Sequence, residues 1–302
     1  MRRLLRWVGI LALILIVAGV GLIAYVFVAS SRLMARTYPL PTPPAVAVRS
    51  DPASLARGKY LVERVAICAE CHGEDLGGRV VVDEFARGRL VSANLTRGRG
   101  GIGAVRSNED LVRSIVHGIK PDGHSVIFMP SNDFQTSEED LGAILGYIRS
   151  MPPVDRELPT TAPGPLARAL GLMGAFPLAA ASMIDHAHVT LAAAPAPGDP
   201  AASGAYLVST AGCRGCHTAD FTGGGGPPPG AGNITPIGIG DWTEPQFMTA
   251  LREHRRPNGT TIDEAMPRLY GQMSDEDLDA IFAFLRTLPP AGAKTVNQNK
   301  SR

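Results

Sequence analysis

The stretch Ala66-Ile67-Cys68-Ala69-Glu70-Cys71-His72-Gly73-Glu74 sets two thiols and an imidazole within five residues. Far downstream, Gly212-Cys213-Arg214-Gly215-Cys216-His217-Thr218-Ala219-Asp220 repeats the arrangement. These clusters hold all four cysteines of the 302-residue chain, so none remains for a long-range disulfide. Zinc uses Cys and His, but a zinc knuckle or ribbon normally draws a second nearby pair from the same domain, and nothing of that kind follows Cys71 or Cys216. A thioredoxin-like redox pair also fits Cys-x-x-Cys but wants a βαβ context that is missing here.

Working outward, the clusters belong to an internal repeat. Laying Met129 on Met266 aligns MPSNDFQTSEEDLGAILGYIRSMPP with MPRLYGQMSDEDLDAIFAFLRTLPP without a gap, through Pro153 and Pro290. Upstream, SANLT parallels GAGNIT, and Gly101-Ile102-Gly103 parallels Gly238-Ile239-Gly240. GKYLV from Gly58 precedes the first cluster, as GAYLV from Gly204 precedes the second. Two copies of one domain, over residues 54–153 and 200–291, is the economical reading. Ser137 with Asp140, and Ser274 with Asp277, form Ser-x-x-Asp helix starts in which a hydroxyl satisfies an orphan N–H. Leu141, Ile144, Leu145 and Ile148, and Leu278, Ile281, Phe282 and Leu285, then share one helix face, and a double proline ends each helix.

In that setting Cys-x-x-Cys-His has a specific logic. The two thiols can add to the two vinyl groups of haem, and the adjacent histidine reaches the iron from one side. The expectation is two covalently attached haem c groups, at Cys68, Cys71 and His72 and at Cys213, Cys216 and His217. Of nine methionines, Met129 and Met266 occupy the same place in both repeats, before Pro130 and Pro267, and are taken as the axial ligands opposite the histidines. His124, close to Met129, is the rival ligand; Thr261 stands at its counterpart. His117, His186, His188 and His254 are expected to be solvated or packed.

The amino end is different in kind. Arg2, Arg3 and Arg6 are followed by no charged residue until Arg32. Spanning a bilayer as helix takes about 20 apolar residues, against about 7–15 for the core of a cleavable signal. Residues 1–31 are therefore expected to be a retained single-pass anchor with its arginines in the cytoplasm, everything beyond being exported. Pro39, Pro41, Pro43 and Pro44 make 32–53 an extended spacer that lets the first domain move over the surface. Residues 154–199 form a linker whose apolar part, from Pro165 to Met183, should hug the domains as helix or loop, and 292–302 is a tail.

These motifs, Gly-x-Tyr-Leu, Cys-x-x-Cys-His, Asn-[Leu/Ile]-Thr, Gly-Ile-Gly, Met-Pro and Ser-[Asp/Glu]-Glu-Asp-Leu, resemble the bacterial multihaem cytochromes c, particularly the cytochrome subunits of membrane-bound alcohol and gluconate dehydrogenases. The resemblance covers almost all of 54–153 and 200–290. It implies an all-α fold of two tandem class I cytochrome c domains, in which the Gly-x-Tyr helix crosses the C-terminal helix bearing Tyr147 or Phe284. It also implies that Asn94, Thr96, Asn233 and Thr235 lie at the haem edge, and that Trp242 is a pocket residue. The chain departs from its relatives in carrying two haem motifs where they carry three, which puts quinone reduction by the missing module in doubt. Val105 stands where the second repeat has Trp242, and Pro227, Pro228 or Pro229 could offer His217 a carbonyl for which repeat one has no proline counterpart.

The formal charge of +1, with no long basic run in the body of the chain, points away from nucleic acid. The expected function is electron transfer, without catalysis of its own, between periplasmic and membrane redox proteins: a dehydrogenase, a cytochrome bc complex or a terminal oxidase. A dihaem peroxidase or oxidase is the enzymatic alternative, disfavoured because two methionine-closed irons leave no open position for substrate. A structural redox subunit of a respiratory assembly is a third reading.

Overall fold

The computed structural model describes residues 1–224 and 231–290. The Pro227–Pro229 run and the tail lie outside them.

Helix α1 (Arg2–Met34) is apolar on every side through most of its length, and its side chains from Leu4 to Tyr25 touch little else of the chain. A helix hydrophobic all round needs an apolar surrounding, and this one is long and apolar enough to cross a membrane. The proline-rich segment that follows is extended but not loose. The Tyr38 amide donates to the Gly123 carbonyl at 2.8 Å and the Arg49 amide to the Gly142 carbonyl at 3.2 Å. Val46 and Val48 pack against the core cluster of Leu111, Val112, Leu141 and Leu145. The free movement expected of this spacer is therefore not what the structure shows: backbone bonds and two valines hold it to the first repeat.

Helix α2 (Pro52–Tyr60) starts with Asp51 accepting from the Ser54 amide at 3.0 Å and with Pro52 in the first turn. It runs through a wider turn at Leu61–Val65 until Ile67, at φ 42, breaks it and redirects the chain into α3 (Cys68–His72). Strands β1 (Val80–Glu84) and β2 (Gly88–Val91) form a hairpin, α4 (Asn108–Val116) follows a Ser107/Asp110 capping box, and α5 (Glu138–Ser150) is capped by Ser137. Strand β3 (Ala162–Pro163) adds to β2, giving an antiparallel sheet in the order β1-β2-β3. The expectation of an all-α chain is corrected here: the described residues are mostly helical with one small sheet, built from the loop after α3 and from the linker.

Helix α6 (Pro165–Leu172) lies in the linker. The second repeat contributes α7 (Pro200–Thr210), α8 (Arg214–His217), α9 (Pro236–Ile239), α10 (Glu244–Glu253) and α11 (Asp275–Thr287).

Both repeats cross their first and last long helices at a glycine. A Cβ on Gly58 would lie 2.1 Å from the Ala143 carbonyl oxygen, and one on Gly204 would lie 1.9 Å from that of Ala280, with Tyr147 and Phe284 flanking the contacts. Only a residue without a side chain permits backbones that close. One continuous core then joins the repeats, with Leu61, Val62, Val65 and Ile144 packed in the same cluster as Leu207, Val208, Leu278 and Ile281.

Candidate functional site

Each Cys-x-x-Cys-His cluster ends a helix and presents its histidine to a backbone carbonyl. His72 Nδ1 is 2.8 Å from the Ala93 carbonyl oxygen, and His217 Nδ1 is 2.8 Å from that of Gly232. A carbonyl has no hydrogen to give, so each Nδ1 is the donor and carries the proton, leaving Nε2 with its lone pair for a metal. Gly232 supplies this contact in the second repeat.

Ala93 and Gly232 occupy matching places, each immediately before Asn-x-Thr. The Asn94 side-chain oxygen accepts from the Thr96 amide at 2.9 Å and from its hydroxyl at 2.8 Å; Asn233 accepts from both groups of Thr235 at 2.8 Å. These short side-chain bonds fold the backbone into a tight turn and fix the direction of the preceding carbonyl. Asn94 also donates to the Val154 carbonyl at 2.7 Å, and Thr96 accepts from the Val154 amide at 2.9 Å, tying the turn to the chain beyond α5.

Electrostatics suit ligation and not thiol redox chemistry. Burial pushes the Cys68 and Cys213 thiols up to about 12 and raises Cys71 and Cys216. A nucleophilic Cys-x-x-Cys pair is tuned the other way. Burial also lowers His72 and His217, against the opposing pull of their carbonyl partners, so both imidazoles are neutral near pH 7. Among the described residues no three His, Cys, Asp or Glu side chains are grouped to hold a metal ion, so neither cluster gathers the further ligands of a tetrahedral zinc.

The two clusters flank the contact between the repeats. Tyr270, after Met266, donates to the Ala211 carbonyl at 2.5 Å, and its phenol lies among Cys68, Cys213 and Cys216, whose charges add to burial in raising it. From the other repeat, the Gln135 carbonyl accepts from the Thr210 hydroxyl at 2.9 Å, and Asp133 approaches Gly215 beside Cys216. The segment after each Met-Pro thus packs beside the opposite repeat's cysteine cluster.

Met129 and Met266 are half-buried in the loops before α5 and α11. Phe128, just before Met129, is held at φ 71 by a bond from its amide to the Pro177 carbonyl (2.8 Å) and by stacking on Phe176 at 5.6 Å. The linker therefore braces the first methionine loop. His124, the rival ligand, has Nδ1 3.4 Å from Asp122 Oδ1 on a turn beside Thr37. Trp242 packs partly buried on the shared core, whereas Val105 is exposed.

Sequence reasoning passed over one pair. His117 and His254 end α4 and α10 at matching places, and both are buried. His254 lies against the Pro267 backbone next to Met266, and His117 Nδ1 is 3.3 Å from His186 Nδ1. The offset that aligns Met129 with Met266 also aligns these two histidines, a signal present in the repeat.

Residues 201–289 match the Cytochrome c family model. The resemblance to cytochromes c holds. Over 82% of its length the chain is 29% identical to the fructose dehydrogenase cytochrome subunit of Gluconobacter japonicus, covering 55% of that protein. Over 87% it is 27% identical to the cytochrome c subunit of the quinone-type alcohol dehydrogenase of Gluconacetobacter polyoxogenes, covering 60% of it. A 98-residue part is 35% identical to the gluconate 2-dehydrogenase cytochrome c subunit of Pantoea cypripedii, covering 27% of this chain and 21% of that one. The chain thus spans less than two thirds of the length of these relatives. The family match implies covalently bound haem c, and the histidine geometry fits it: neutral rings, Nδ1 fixed by a carbonyl and Nε2 left to ligate.

Proposed function

We propose that this chain is a membrane-anchored dihaem c-type cytochrome that passes electrons between redox proteins, as a subunit or partner of a dehydrogenase or respiratory complex. The observation that carries the reading is the duplicated histidine–carbonyl geometry, at His72 with Ala93 and His217 with Gly232, on either side of one shared core. Domains of the class I type would occupy 54–153 and 200–291. Cys68 and Cys71, and Cys213 and Cys216, would hold the haems as thioethers, with His72 and Met129, and His217 and Met266, as axial ligands. Trp242 would line the second haem pocket. Haem supplies reversible one-electron chemistry; the polypeptide orients the imidazoles, excludes water and sets the potentials.

Helix α1 would cross the cytoplasmic membrane once, with both domains in the periplasm. The donor and acceptor would be a dehydrogenase, a cytochrome bc complex or a terminal oxidase. The relatives are cytochrome subunits of dehydrogenases, which favours electron transfer over a peroxidase or oxidase. Intact mass of the purified chain, with haem staining of denaturing gels, should show two haems per polypeptide. One haem, or bound zinc, would overturn the reading.

A further inference from the structure

The point where α1 leaves the membrane is surrounded by other parts of the chain. Arg168 of α6 donates through Nη1 to Ser30 Oγ at 2.8 Å and Ser31 Oγ at 3.0 Å, and its guanidinium lies 4.8 Å from the Phe27 ring centroid. A hydrocarbon core takes about 20 helical residues, so a span that begins just after Arg6 reaches its outer boundary near Phe27. Arg168 therefore holds α6 at the depth of that boundary.

The hairpin is tied to the same place. The Gly164 amide donates to the Arg87 carbonyl and the Leu166 amide to the Ala86 carbonyl, both at 2.8 Å. Between the strands Phe85 is 92% exposed, next to the start of α6, while Leu166 is 45%, Met173 77% and Met183 42% exposed. A cavity of about 400 Å³ opens between α1 and this segment, lined by Leu33 of the anchor and by Leu172, Phe176 and Met183. Large apolar side chains gathered on one exposed surface mark a contact, not an ordinary water-facing patch.

We propose that the hairpin tip and residues 165–183 form a second, in-plane contact with the outer leaflet of the membrane that α1 crosses. Phe85, Leu166, Met173 and Met183 enter the boundary between headgroups and acyl chains, and the cavity beside Leu33 faces the headgroup layer just outside it. The membrane as partner follows from continuity, since one wall of the cavity is the anchor itself and Arg168 bonds to the anchor's last turns. The proposal rests on the reading of α1 as a retained span. Its consequence is that the first repeat is fixed in depth and orientation on the membrane, with its methionine loop braced by the same segment through Phe176 and Pro177.

The test uses the full chain, haem-loaded and reduced, in nanodiscs of phosphatidylcholine and phosphatidylglycerol. Spin labels on Phe85→Cys, Met173→Cys and, as a reference in the second repeat, Ile237→Cys are compared for collision with oxygen, which concentrates in lipid, and with a water-soluble nickel chelate. All three positions are exposed, so folding should be retained, and the haem spectrum checks that it is. The expected result is a several-fold higher oxygen-to-nickel ratio at 85 and 173 than at 237. Ratios at 85 and 173 equal to that at 237, in protein that stays in the discs, would overturn the leaflet contact and leave the anchor standing. Failure of the chain to enter discs would overturn both.

Discussion

The Tyr206 hydroxyl donates to Asp140 Oδ2 at 2.6 Å and accepts from the Ser137 amide at 3.1 Å, and Tyr60 makes the same two bonds in the opposite direction, to Asp277 at 2.5 Å and from the Ser274 amide at 3.0 Å. Each tyrosine comes from the Gly-x-Tyr-Leu motif of one repeat and reaches the N-terminus of the last helix of the other. In a capping box the acid of the first turn reaches back to the N-cap amide, as Asp110 does for Ser107 at 3.1 Å. At α5 and α11 the tyrosine takes that place: its oxygen receives the amide, and the acid is freed to accept its proton. The exchange relates the two repeats almost as a two-fold axis would. Arg57 breaks the symmetry by donating to both Asp140 oxygens at 2.9 and 2.8 Å, since Ser203 stands at its counterpart.

Tyr206 is buried and Tyr60 half-buried, so loss of the two hydroxyls should not cost the same. Tyr206→Phe leaves the buried Ser137 amide short of a partner away from water, while Arg57 still serves Asp140 Oδ2, and should cost about 1–3 kcal/mol. Tyr60→Phe should cost less, because water can replace the hydroxyl at Ser274. Urea unfolding of the two variants measures this, and an equal or reversed order would show that the two contacts are not buried to different depths in solution.

The crossing glycines make a sharper prediction. Gly58→Ala and Gly204→Ala each drive a methyl group into a backbone carbonyl, which cannot rotate away as a side chain would. Each should lose about 1–3 kcal/mol as the helices separate. Denaturation midpoints unchanged by either substitution would rule out the tight crossing at that helix pair.

Much of this was legible in the sequence because it is local or duplicated. The caps at Ser137 and Ser274 and the cysteine clusters follow from spacing and repetition, and the crossing helices were implied by the resemblance to cytochromes c. The β1-β2-β3 sheet was not, because its third strand is two residues of a linker with no alternating pattern, recruited by the hairpin. The tyrosine exchange was also invisible: the repeat marks Tyr60 and Tyr206 as equivalent, but periodicity does not say which helix each one meets. Ala93 and Gly232 escaped notice because their contribution is a carbonyl, which any residue type can supply. Their position before Asn-x-Thr was the readable signal.

Asn94 and Asn233 aim those carbonyls, so replacing them should act on the iron through the histidine. Asn94→Ala releases the Ala93 carbonyl, weakens the bond to His72 Nδ1 and makes the imidazole a poorer donor, which should shift the first haem's potential while leaving attachment intact. Asn233→Ala should do the same at the second haem. Asn94 also holds Val154, so its loss should lower the thermal midpoint more. If both clusters carry haem, potentiometric titration separates the two; unchanged potentials in both variants would confine the asparagines to a structural role.

The methionine loops carry the last prediction. If Met129 and Met266 close the irons, each change to Ala should abolish that haem's methionine–iron band at the red edge of the spectrum, lower its potential and admit carbon monoxide, since thioether ligation opposite histidine raises the potential and blocks the site. The brace on Phe128 separates the two loops. Phe128 sits in the left-handed region, which costs a non-glycine residue roughly 1–3 kcal/mol unless its surroundings impose it, and here Phe176 and Pro177 do so. Ala265 stands at the matching place before Met266. Phe176→Ala should therefore weaken the Met129 band and leave the Met266 band untouched. An unchanged spectrum in Met129→Ala would instead move the ligand to His124, which would have to leave Asp122 to reach the iron, and the band would then also be insensitive to Phe176→Ala.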